Sequence, residues 1–99
     1  MNIRDREDSE RIRELREMQD TTENEIRNLM NDWILDRDLK SCRRLIDRLQ
    51  DWKWREYMIG NRKLGMEMRQ SREEWNRNYE DRLHHEEQLR QQYEQDLDG

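Results

Sequence analysis

Large apolar residues recur along this chain at the three- and four-residue intervals of an α-helix, and the face they mark changes once, abruptly, before the middle. With residues set about 100° apart on a helical wheel, Ile12, Leu15, Met18, Thr22, Ile26, Leu29, Met30 and Trp33 fall on one arc. Leu35, Leu39, Cys42, Leu45, Ile46 and Leu49 fall on a nearly opposite one. A single straight helix cannot send its first half to a core on one side and its second half to the other. The spacing therefore predicts a chain reversal between Trp33 and Asp38, although neither Gly nor Pro marks the place. Asp36 or Asp38 is positioned to cap the second helix.

A third stripe follows, with Leu64, Met68, Trp75, Tyr79, Leu83, Leu89, Tyr93 and Leu97 on one face. The two internal glycines, Gly60 and Gly65, bracket the clearest loop signal, and Gly60 suits a left-handed helix C-cap. Ser71-x-x-Glu74 has the form of a capping box, so the third helix starts either near Met66 or at Ser71. Thr22-x-x-Glu25 has the same form, but the apolar phase runs through it and Thr22 reads as helix interior. Near the start, Asp8 or Ser9 is the expected N-cap. The expectation is an all-α chain, one domain over residues 1–99, folded as an antiparallel up-down-up three-helix bundle with helices at roughly 9–34, 37–58 and 66–97. The third helix outruns the second. Its end, around Leu89 to Leu97, is expected to overhang and to contact the first helix, fray or meet a partner chain.

Composition narrows the functional classes. Hydrophobic residues make up 30% of the chain and charged residues 45%, so the core must come from Leu, Ile, Met and Trp in register, not from abundance. The net charge of −5, with both signs interleaved throughout, gives no basic stripe to displace counterions from nucleic acid. No apolar run approaches the roughly 20 residues of a membrane span, and no signal-peptide pattern opens the sequence. Cys42 is the sole cysteine, which excludes an internal disulfide and suits a small buried hydrophobe. These features together suggest a soluble protein of a reducing compartment.

Candidate chemistry is sparse. Gly60-Asn-Arg-Lys-Leu-Gly65 has the glycine spacing of a phosphate loop, but Met66-Glu67 stand where Lys and Ser/Thr are required, so it reads as a helix connector. His84 and His85 are adjacent, point about 100° apart and cannot share one metal well. Asp81-x-x-His84 matches only part of a bundle di-metal site and is not repeated. In Trp52-Lys53-Trp54-Arg55 one indole is expected in the core and the other on the rim beneath an Arg. No nucleophile has a histidine near it in sequence. The expectation is therefore no enzyme, no cofactor, no metal, no small-molecule substrate, no nucleic acid and no membrane partner. Trp75, Tyr79, Leu89 and Tyr93 are the anchors of any interaction surface, and a homodimer through the third helix is the partner that surface suits.

Ala, Val, Phe and Pro are all missing, although Ala is the best helix former and the chain reads as helix almost throughout. In this skewed alphabet, and in its single helical period, the chain resembles de novo designed or computationally redesigned helical bundles. That resemblance implies a structural scaffold with no native activity. A helical protein–protein interaction or self-association module is the alternative. Leu15-Arg16-Glu17 with Ile26 and Leu29-Met30, and Tyr79, Leu83 and Leu89-Arg-Gln-Gln-Tyr93, also resemble the first and last helices of the all-helical chorismate mutases. That resemblance implies an arginine-lined dicarboxylate site with Arg16 as its first substrate-binding arginine. The family's second arginine falls at Trp33, its late catalytic Gln or Glu at Arg90, and its preceding small polar residue at Glu86, so no activity is expected from it.

Overall fold

The computed structural model describes residues 3–98, and all three expected helices are present with no strand among those residues. Helix α1 spans Ile3–Asp36, α2 Leu39–Ile59 and α3 Arg62–Asp98. The reversal inferred from apolar phase falls at Arg37 and Asp38. Arg37 takes a left-handed backbone (φ 53°), and its N–H donates to the Trp33 carbonyl at 2.8 Å. Asp38 caps α2, its carboxylate accepting from Lys40 N–H (3.3 Å) and Ser41 Oγ (2.9 Å). A non-glycine residue can hold the left-handed conformation here because α1 ends and α2 is capped on either side of it.

At the other turn, Gly60 is left-handed (φ 98°) and its N–H reaches the Glu56 and Tyr57 carbonyls, closing α2. The loop expected over 59–65 is shorter than that. Asn61 caps the incoming helix through Leu64 N–H, and Gly65 lies inside α3. Gly65 is there because Tyr57 lies over it, and a Cβ at this position would stand 2.6 Å from Tyr57 Cε1. The Ser71 capping box is also interior, since α3 runs through it unbroken. Thr22 is interior as expected, its hydroxyl donating back to the Met18 carbonyl at 2.9 Å. Asp8 and Ser9 do not start α1, which is helical from Ile3.

The contacts fix the helix directions. Gln19 and Thr22 of α1 meet Trp52 and Arg55 of α2, while Trp33 meets Cys42 and Ile46, so α1 and α2 are antiparallel. Cys42 lies beside Trp75 and Tyr57 beside Gly65, so α2 and α3 are antiparallel as well. Helix α2 is the axis of the bundle and packs along both neighbours, whereas among the described residues no α1 Cα lies within 8 Å of an α3 Cα. Helices α1 and α3 touch through side chains, with the Trp33 and Trp75 rings edge to face at 6.0 Å. Ile26, Leu29, Leu45 and Leu49 form one buried cluster and Trp33, Cys42 and Ile46 the other, with Met30, Trp52, Met68, Trp75 and Tyr79 packed around them.

This arrangement leaves two arms. Helix α2 has 21 residues, about 31 Å at 1.5 Å per residue, whereas the molecule is 78 Å long. Residues of α1 before about Ile12 extend past one end, and residues of α3 after about Asp81 extend past the other. The expected overhang of α3 is present. The α1 arm is a second overhang, and only the middle of the α1 and α3 stripes is closed into a core.

Candidate functional site

Two features stand apart from the core: a polar cleft at the α2–α3 turn and the apolar stripe on the distal half of α3. The cleft has a volume of about 640 Å³, and its lining includes Arg16, Gln19, Trp52, Glu56 and Asn61. Gln19 and Glu56 are buried there and bonded to each other. Gln19 Nε2 donates to Glu56 Oε1 (3.1 Å) and to the Trp52 carbonyl (2.9 Å). Trp52 Nε1 donates to the same carboxylate oxygen at 3.3 Å, and Arg55 donates to Gln19 Oε1 and to Thr22 Oγ1. The network pins α1 to α2 and leaves those atoms committed within the chain. Sequence reasoning missed it, because Gln19 and Glu56 look like any other polar helix residue until the facing helix is in place.

The four expected anchors separate into two pairs. Trp75 and Tyr79 are half-buried against Trp33, Cys42 and Ile46 and serve the core. Leu89 and Tyr93 stand 50% and 65% exposed on the distal arm, with Leu83 and Leu97 on the same face and also exposed. The stripe is not wholly apolar. Arg82 and Glu86 lie within it, paired at 3.2 Å, and Arg90 falls between Leu83 and Leu97 on the wheel. Among the described residues, Arg90 and Glu94 have no ion-pair partner in the chain. A groove of about 300 Å³ between the end of α1 and α3, lined by Trp33, Arg37, Asn78, Asp81, Arg82 and His85, continues the stripe toward the core. Ile34 and Leu35, both exposed, lie at this same end of the molecule.

Among the described residues no three His, Cys, Asp or Glu side chains cluster closely enough to hold a metal ion. His84 bonds Gln88 at 3.2 Å, and His85 lines the groove. Trp52 packs on the core and Trp54 is exposed, but the cation over Trp54 is Lys53 at 4.7 Å, not an Arg. The Arg over an indole is Arg37, on Trp33. Partial burial, then the Arg72 and Arg69 guanidiniums, lower the Lys53 ammonium from its ordinary pKa. Arg16 lies on the polar cleft, Trp33 is buried, and Glu86 and Arg90 lie on the distal arm at the opposite end. No described helix is long and apolar enough to cross a membrane. No protein-family model matches the chain, and no curated protein or solved structure matches it.

Proposed function

We propose that this chain is a helical protein–protein interaction module whose docking surface is the stripe on the distal half of α3. The observation that carries this reading is a helix extended well beyond its own core with Leu83, Leu89, Tyr93 and Leu97 exposed along one face. An isolated helical segment of this length gains little from propensity alone, and large apolar side chains in a row on a solvated arm suit contact with another molecule. An engineered scaffold with no native activity accounts for the central block equally well but gives the stripe no role. A chorismate-mutase-like site draws less support, since the positions its resemblance picks out lie at opposite ends of a 78 Å molecule.

The test replaces Leu83, Leu89 and Tyr93 together by Gln and measures urea unfolding at dilutions where the midpoint no longer depends on chain concentration. If the stripe is reserved for a partner, stability stays within about 0.5 kcal/mol of the parent, as for ordinary surface changes. A loss of several kcal/mol shows that the stripe serves the chain's own fold and ends this reading.

A further inference from the structure

We propose that the occupant of the distal α3 stripe is a second copy of this chain, its α3 paired antiparallel with the first about Gln88 in a closed two-fold dimer; this rests on the reading of that stripe as a docking surface. In an antiparallel helix pair, residues whose numbers share one sum lie level with each other. Centred on Gln88, the middle of the stripe is self-complementary, with Leu89 at its edge level with Glu87 of the second copy. Leu83 falls level with Tyr93 of the second copy and Glu86 with Arg90, while Leu97 reaches toward the α1–α2 turn. The two-fold axis repeats each pair, so two apolar and two ionic contacts form, and Arg90 gains the partner it lacks within the chain.

The register is specified by charge. Sliding one copy by four residues in one direction sets Arg90 against Arg90 and Glu86 against Glu94. Sliding it the other way sets Glu86 against Glu86 and Arg82 against Arg90. Like charges placed opposite each other reject both neighbours of the central register.

Shape and area agree. Cys42 lies beside Trp75, so the α1–α2 turn ends level with about Tyr79, and the space beyond it along distal α3 is open. An incoming α3 fits that space with its tip against the turn, at the end where Ile34 and Leu35 are exposed. The chain exposes 8038 Å², against roughly 6,200 Å² for a compact protein of its mass. The excess, about 1,800 Å², is shared by the two arms, which leaves the distal α3 arm a share on the order of the 800 Å² per partner of a stable interface.

The test is sedimentation equilibrium over micromolar concentrations. The parent chain is expected at twice its 12.7 kDa mass. Glu86→Arg alone and Arg90→Glu alone each place like charges in both ionic pairs and are expected to sediment as monomers with unchanged helicity. An equal mixture of the two restores every Glu–Arg pair across the seam and is expected to return to the dimer mass. Ile12→Glu with Met18→Glu, both exposed at the opposite end of the molecule, is expected to leave the dimer intact. A parent chain that stays monomeric, a mixture that stays monomeric, loss of the dimer in the Ile12 and Met18 variant, or a mass climbing past two copies overturns the proposal. A monomeric parent whose stripe substitutions leave the diluted stability unchanged separates failure of the second copy from failure of the docking surface.

Discussion

Cys42 sits where the three helices converge, fully enclosed, with its thiol directed at the Trp75 carbonyl 3.7 Å away. Burial disfavours the thiolate and pushes its pKa up to about 11. The folded state therefore holds this proton more tightly than the unfolded chain does. The contribution is complete below the ordinary value of 9.0 and is lost as pH rises toward about 11. Stability of the parent should decline more steeply across that window than stability of Cys42→Ala, as read from urea midpoints, and the parent thiol should resist alkylation until the chain unfolds. Equal slopes, or rapid alkylation of the folded chain, contradict this placement. The role of Cys42 was legible because it fell on the apolar phase of α2. Gln19 was not, because its partners, Glu56 and the Trp52 carbonyl, belong to another helix. Gln19→Leu should cost about 1–3 kcal/mol, the usual penalty for leaving a buried polar group unpaired. An unchanged unfolding free energy would remove the network from the account.

The helices themselves were legible where apolar residues keep phase and much less so where only charges do. The α1–α2 reversal was found without Gly or Pro because a phase jump has no other solution in a straight helix. The start of α1 was not found, since residues 4–11 carry no apolar side chain, and helix continues there through polar sequence alone. The capping box at Ser71 misleads for a related reason, because a local signal yields when the flanking stripe continues across it. Gly65 shows the same limit at a turn. In an exposed helix, Gly→Ala adds about 0.5–1 kcal/mol of stability. Here the new methyl meets the Tyr57 ring, which itself packs edge to face on Trp54 at 6.0 Å. Gly65→Ala should therefore destabilise by about 1–3 kcal/mol, and Tyr57→Ala in the same chain should turn the substitution favourable. A double-mutant cycle from thermal unfolding checks the reversal of sign, and a stabilising Gly65→Ala in the parent contradicts it.

At the scale of the whole molecule, the sequence predicts three helices but not how far they slide past one another. Lengths alone implied an overhang of α3. That α1 overhangs at the opposite end follows from Gln19 meeting Trp52 and Glu56, a pairing no single-helix pattern contains. The slide sets the shape, with a radius of gyration of 19.1 Å where a compact chain of this length has about 13 Å. It also divides the third stripe into a core half, with Trp75 and Tyr79, and a free half, with Leu89 and Tyr93. We propose that this free half has its partner outside the chain. Backbone amide exchange followed as a function of chain concentration tests it most directly. Amides of Leu83 to Leu97 should become more protected as concentration rises and exchange like a solvated helix on dilution, while those of Cys42 to Glu56 stay protected throughout. Protection of the distal segment that matches α2 and is indifferent to concentration would contradict the account.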